Sequence, residues 1–241
     1  MKSVCIATHN GEKYIKEQLD SILCQLAPDD EVVISDDGSS DRTLDIISEY
    51  NDQRLKVFHF EQPTQSSHTH LYVTRNFENA INHANGDIIF LSDQDDRWMP
   101  NKVERCIGAL QEYGLVVHNM RIADGEMRDS GENYYKCGFK RFRNYFMREG
   151  KYYGCTIAFR RELLKYILPF PKRLLLHDYW TGILAECFGG VAYVEEPLVM
   201  YRVRQISASH NVKNPLWFKL TYRIYTLWQL YGRIIKGKLK L

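Results

Sequence analysis

The sequence predicts an α/β protein, a mostly parallel sheet with helices on both faces, ending in a basic, aromatic helical tail. Three observations predict it. Short apolar runs alternate with segments of helical period over the first 119 residues, the pattern of a largely parallel sheet covered on both sides. Polar, acidic loops follow the first, second and fourth of these runs, on the edge where open α/β sheets bind ligands. From Pro197 to Leu241 there are nine Lys or Arg and no Asp or Glu, so the chain changes character near its end.

The elements follow in order. Val4 to Ala7 is a buried strand. Ile15, Leu19, Ile22, Leu23 and Leu26 share one helical face. Pro28-Asp29-Asp30 is a turn. Glu31 to Ser35 is a second strand, and Ser39 or Ser40 is placed to cap the helix that carries Leu44 and Ile47. Leu55 to Phe60 is a third strand. Val73, Phe77, Ala80, Ile81 and Ala84 align on a helix that Asn85-Gly86 ends. Asp87 to Ser92 is the fourth strand, Pro100 opens a helix with Val103, Ile107 and Leu110, and Leu115 to Asn119 is the fifth strand. No period of solenoid length repeats.

Composition sets the class. The 241 residues suit one large or two small domains, and 44% apolar with 26% charged residues is ordinary for a globular protein. Six scattered cysteines without a C-x-x-C pair fit neither a zinc site nor a disulfide framework, which favours a reducing cytoplasm. Met1-Lys2-Ser3 leads straight into the first strand, with no signal-peptide pattern. The net charge of +2 hides a split, since the first 196 residues hold 23 basic and 30 acidic side chains.

The chemistry is concentrated in Phe90 to Trp98. An apolar run drives into Asp93, Asp95 and Asp96, three carboxylates within four residues. A hard divalent cation that keeps waters and substrate phosphates would neutralise them; the plain alternative is a solvated acidic loop. With Ala7 to Gly11 and Asp36 to Asp41 beside it, this loop makes a nucleotide cradle. Carboxylates suit the donors of base and ribose, and the cation suits a diphosphate. Neither G-x-G-x-x-G nor G-x-x-x-x-G-K-[ST] occurs.

Ala-Thr-His-Asn-Gly, Ser-Asp-Asp-Gly-Ser-Ser-Asp and Asp-Gln-Asp-Asp, in this order and spacing, resemble glycosyltransferase family 2 enzymes of the GT-A fold over residues 1–205. The resemblance implies a donor-binding half over 1–119, an acceptor-side half over 120–205, and a tail over 206–241. It places Ala7, Thr8 and Asn10 at the nucleotide, Asp37 at the base with Asp36 beside it, and Gln94 near the donor. Asp93 and Asp95 form the D-x-D pair that binds Mn2+ or Mg2+, with Asp95 the more direct ligand. Asp178, in His177-Asp178-Tyr179-Trp180, matches the catalytic base, and Gly154-Cys155-Thr156 resembles the segment between donor and acceptor. Many members carry a histidine where Arg204 stands; Arg204 could fork onto the diphosphate instead, or His210 could serve. The implied reaction is metal-dependent, inverting transfer of one sugar, since the Q-x-x-R-W of processive members is missing. The motif versions look most like rhamnosyltransferase-type members, which points to dTDP-L-rhamnose, with a UDP-hexose as the other donor. Rival readings are a sugar nucleotidyltransferase and a non-catalytic glycan- or membrane-binding module.

The tail interleaves Trp217, Phe218, Tyr222, Tyr225, Trp228 and Tyr231 with Lys219, Arg223, Arg233, Lys236, Lys238 and Lys240, and its longest uncharged run is Ile224 to Gly232. A spanning helix needs about 20 apolar residues, so an interfacial helix on anionic lipid is expected. Alternatively its aromatics pack on the catalytic domain or a second subunit. The acidic body argues against nucleic acid. The expected acceptor is a glycan or lipid-linked glycan of cell-surface polysaccharide synthesis, met at the cytoplasmic face of the plasma membrane.

Overall fold

The computed structural model describes residues 1–61, 69–136, 138–139, 152–204 and 215–239. Nine described strands form one sheet. They are β1 (Lys2–Thr8), β2 (Glu31–Asp36), β3 (Leu55–His59), β4 (Ile88–Asp93), β5 (Arg97–Trp98), β6 (Leu115–Ala123), β7 (Asp129–Asn133), β8 (Ile157–Arg160) and β9 (Val191–Arg202). The helices are α1 (Ile15–Leu23), α2 (Thr43–Ser48), α3 (Thr69–His83), α4 (Lys102–Ala109), α5 (Leu164–Ile167), α6 (His177–Phe188) and α7 (Leu216–Lys238).

The strand order is β3-β2-β1-β4-β8-β6-β9-β5, with β7 paired to β6. The first four are parallel, as the alternation of strands and helices predicts. Beyond them, β8 runs antiparallel to both β4 and β6, and β6 runs parallel to β9. The sheet is therefore mixed, parallel over its first four strands and of both senses beyond them.

Side-chain alternation splits the core into two layers. Cys5, Val33, Ile89 and Leu91 face one way, onto Phe77 and Ile81 of α3 and Trp180, Ile183 and Leu184 of α6. Val4, Ile6, Val32, Ile34 and Phe90 face the other, onto Ile15, Leu19 and Ile22 of α1 and Val103 and Cys106 of α4. Both faces are thus buried, which is why these strands read as continuous apolar runs. One local expectation is corrected. Neither Ser39 nor Ser40 caps α2; the helix starts at Thr43, whose N–H and hydroxyl donate to Asp41 Oδ1 at 3.0 and 2.5 Å. The Ser39 hydroxyl is turned back to Asp36 instead.

The tail is one 23-residue helix, α7. Its inner face packs on the body. Leu230 is buried, Tyr222 Oη accepts from Leu175 N at 3.0 Å, and the Arg233 guanidinium donates to the carbonyls of Tyr166, Leu168 and Pro169. Among the described residues no helix is long and apolar enough to cross a membrane.

Candidate active site

Parallel register brings the loops together. Thr8 pairs with Asp36, and Ala7 with Asp93, so β1, β2 and β4 end on one edge. β8 starts where β4 ends, which places the Gly154–Thr156 turn under the acidic loop.

The three loops are interlocked. Gln94 Oε1 accepts from Thr8 Oγ1 and from His9 N at 3.0 Å, while its Nε2 donates to His9 O at 3.0 Å. Asn10, in a left-handed conformation with φ 48, accepts at Oδ1 from Ser40 N at 2.9 Å, and its own N–H donates to Ser39 Oγ. A Cβ at Gly11 would sit 2.5 Å from Gln94 Oε1 and 2.9 Å from its Cδ, so any side chain there displaces the Gln94 amide from its brace. Asp36 is fully buried and accepts from Ser39 N and Oγ at 2.9 and 2.5 Å. Asp37 is half-buried at the rim, its N–H donating to Thr8 O at 2.9 Å.

The acidic loop is charged beyond its partners. Burial raises Asp93 to about 7, Asp95 adds to the shift, and Arg204 and Lys102 oppose it. Burial also raises Asp95 against the pull of Arg204, and it raises Asp96 well above the carboxylate range with help from Asp95 and Asp93. Arg204 Nε lies 2.6 Å from Asp95 Oδ2, charge on charge rather than an aligned hydrogen bond. Arg202 locks the loop from β9. Its backbone N–H donates to Asp96 Oδ1 at 3.0 Å and its Nε to Asp95 O at 2.8 Å, while Nη2 reaches Glu17 Oε2 at 2.5 Å.

A divalent cation fits this set. Ligand atoms of Asp93, Asp96 and Cys155 lie within 4.8 Å of one another, whereas Asp95, the other half of the expected pair, is turned to Arg204 and is not part of this cluster. Asp96 Oδ2 is buried without an aligned hydrogen-bond donor, and the Cys155 thiol is its polar neighbour. Carboxylate oxygens in excess of nearby cations are the donor set that hard ions prefer.

Asp178 is the second residue of α6. Burial raises it to about 7; its Oδ1 accepts from Tyr179 N at 2.8 Å, which opposes the shift, and repulsion from Asp93 adds to it. His177 beside it is buried, stacked at 4.3 Å on Phe77, and pulled down to about 3 by burial. It is neutral at ordinary pH.

The comparisons with known proteins accord with this geometry. The family model described as glycosyl transferase family 2 matches residues 3–168. The chain belongs to that family. It is 28% identical to the dTDP-rhamnosyl transferase RfbG of Shigella flexneri, covering 90% of this chain and 77% of the relative. It is 31% identical to the UDP-Glc:alpha-D-GlcNAc-diphosphoundecaprenol beta-1,3-glucosyltransferase WfgD of Escherichia coli, covering 87% and 79%. Among solved structures, TarS of S. aureus in complex with UDP-GlcNAc superposes with a TM-score of 0.72 at 22% identity, covering 92% of this chain and 64% of TarS. Mannosyltransferase PcManGT from Pyrobaculum calidifontis, solved with GDP-Man and Mn2+, gives 0.59 at 22% identity, covering 86% and 58%. These two likenesses establish the GT-A fold. The chain also spans 64% of the length of an uncharacterized glycosyltransferase of Nostoc sp..

For this family 2 chain, Thr8, Asp36, Asp93, Gln94 and Asp95 meet at one edge of the sheet and Arg204 joins them from beyond β9, while Asp178 stands at the start of α6. The polar ends of Asn10, Gln94 and Asp36 are used on bracing the loops. His210 lies outside the described residues. Sequence reasoning passed over Arg202 and Cys155 as parts of the acidic cluster. The signal for Arg202 was a cation closing the apolar run Leu198 to Tyr201; Cys155 lay in the Gly154-Cys155-Thr156 segment singled out by resemblance, but only the fold shows that it stands against Asp93 and Asp96.

Proposed function

We propose that this chain transfers one sugar, with inversion, from a nucleoside diphosphate sugar to a glycan or lipid-linked glycan acceptor of a bacterial surface polysaccharide. Family membership supports transfer from such a donor. The observation that carries the mechanism is Asp178, a half-buried carboxylate at the start of α6 that burial raises to about 7 with help from the Asp93 charge. A base with a pKa near the working pH combines availability with driving force. Asp178 takes the proton of the acceptor hydroxyl as its oxygen attacks the anomeric carbon from the face opposite the diphosphate.

Mn2+ or Mg2+ held by Asp93 and Asp96, with Asp95 joining once Arg204 leaves it, would supply Lewis-acid stabilisation of the departing diphosphate. Arg204 now neutralises Asp95; released from it, the guanidinium forks onto phosphate oxygens. Ala7, Thr8 and Asp37 line the nucleotide, while Asn10, Gln94 and Asp36 hold the loops that shape its pocket. RfbG and WfgD favour dTDP-rhamnose or a UDP-hexose as donor, and the diphosphoundecaprenol in WfgD's name favours a lipid-linked acceptor.

The outer face of α7 fits that acceptor's location. Trp217, Leu220, Ile224, Trp228 and Tyr231 are each 59 to 69% exposed. Lys219, Arg223, Lys236 and Lys238 lie on the same helix, which carries no acid. An apolar stripe with cations suits an anionic headgroup layer, so the enzyme would work at the cytoplasmic face of the plasma membrane. The test of transfer is direct. The protein with Mn2+ is incubated with UDP- and dTDP-sugars, and free UDP or dTDP is measured. Release from one donor class is expected; no release from any of them, with or without acceptor lipid, contradicts the proposal.

A further inference from the structure

α6 begins without a side-chain cap. Leu176 stands at the capping position, where Ser, Thr, Asp or Asn would bond to the first turn. The turn that carries Asp178 is therefore held by the chain leading into it. Leu175, three residues before Asp178, is gripped from two sides. Its N–H donates to Tyr222 Oη of α7 at 3.0 Å, and its carbonyl accepts from Thr74 Oγ1 of α3 at 3.0 Å. Arg173 N reaches Tyr225 Oη at 3.4 Å.

A second grip lies one helix back. The last carbonyls of a helix have no partner within it, and those from Tyr166 to Pro169, at and beyond the end of α5, are taken by two side chains. Arg233 of α7 donates to the carbonyls of Tyr166, Leu168 and Pro169 at 2.9, 2.6 and 2.7 Å, and Trp180 Nε1 donates to Ile167 O at 2.9 Å. The guanidinium also stands 5.4 Å from the centroid of the Trp180 ring, two residues beyond Asp178. Where α7 passes the other end of α6, a Cβ at Gly237 would sit 2.5 Å from Phe188 Cζ. Covering the core requires neither the Tyr222 hydroxyl nor the Arg233 guanidinium; a phenylalanine and a leucine would do that. Both polar groups are explained by the backbone they hold.

We propose that α7 positions the catalytic base: Tyr222 and Arg233 fix residues 166–175, and through them the first turn of α6 with Asp178. This rests on the reading of Asp178 as the base. The outer face of the same helix carries the exposed Trp217 and Trp228, so the base is tied to the surface proposed to meet lipid.

The test compares Tyr222→Phe and Arg233→Met with the parent chain. It measures release of UDP or dTDP from UDP-glucose or dTDP-L-rhamnose in Mn2+, with water standing in as acceptor, and amide hydrogen exchange along the chain. A misplacement of about 1 Å can lower a rate about 10²-fold. Arg233→Met is expected to lower kcat at least about tenfold while KM for the donor stays within about twofold. Exchange should quicken over residues 166–180 and stay at the parent rate in β1 and β2. Tyr222→Phe, which removes one hydroxyl, is expected to act in the same direction to a smaller extent, and it decides the matter if Arg233→Met does not fold. Parent kcat in both variants overturns the proposal. Faster exchange throughout the sheet, with kcat and KM both impaired, overturns it too, because that marks general loosening. A parent that releases no nucleotide counts against the transferase reading instead; exchange over 166–180 then decides whether α7 fixes this segment.

Discussion

At the scale of single residues, Asp178 is where stability and function oppose each other. Its ordinary value of 3.8 is raised to about 7 by burial and by Asp93. A carboxyl raised on folding favours the fold below its unfolded value and loses that contribution as pH climbs through its folded value. Asp178→Asn, which mimics the protonated side chain, is therefore expected to melt above the parent at about pH 8, by an amount on the order of a few kcal/mol. The gap should shrink toward zero as the pH is lowered to about 4. Equal melting temperatures at both pH values would show that the carboxyl is not buried as described. Asp95 predicts differently. Asp95→Ala frees Arg204 and removes a cation ligand, so Mn2+-dependent stabilisation by UDP or dTDP should fall at least about tenfold in apparent affinity. An unchanged nucleotide-induced melting shift would exclude Asp95 from the site.

At the scale of elements, the interlocked loops behave as one unit. Gly11→Ala drives a methyl into Gln94 Oε1 and Cδ, so Gln94 must leave Thr8 and His9. A loss of roughly 1–3 kcal/mol is expected in denaturant melts, together with weaker nucleotide binding; a neutral outcome would mean the loops are not braced through Gln94. The first half of this architecture was legible because β1, β2 and β4 are buried on both faces and α1, α3 and α4 each have an apolar stripe. The other half was not. β7 is Asp-Ser-Gly-Glu-Asn, without any hydrophobic alternation, and β8 is four residues long. β9 carries Glu195, Glu196 and Pro197 in mid-strand, where the register to β6 shifts. Their pairing is decided by partners distant in sequence, which periodicity does not reveal. The α2 cap was misplaced for a related reason: Asp36, buried at the end of β2, competes for the Ser39 hydroxyl.

The α7 helix belongs to this scale as well. The sequence allowed either lipid or protein for its aromatics, and the fold divides them. Tyr222 and Tyr225 hydrogen-bond to the body, whereas Trp217 and Trp228 are 68 and 69% exposed. Replacing Trp217 and Trp228 by Ser should leave the melting temperature nearly unchanged and reduce co-sedimentation with phosphatidylglycerol-rich vesicles severalfold. Undiminished sedimentation would remove the membrane role.

At the scale of the whole molecule, the order of strands does the chemical assembly. β1, β2 and β4 deliver Thr8, Asp36 and Asp93 to one edge, β8 brings the 154–156 turn in from the opposite direction, β9 returns Arg202 and Arg204, and α6 carries Asp178 in its first turn. The acidic block and the nucleotide loops could be read from their own residues, but the convergence of Asp178 with them depended on family resemblance, since only tertiary structure joins them. The most direct measurement of the central claim is transfer by Asp178→Asn beside its binding of UDP and dTDP in Mn2+. The account predicts turnover lowered by about 10²–10⁴-fold, the usual share of a general base, with nucleotide affinity kept within a few-fold of the parent. Turnover at the parent rate, or nucleotide binding lost together with turnover, would contradict it.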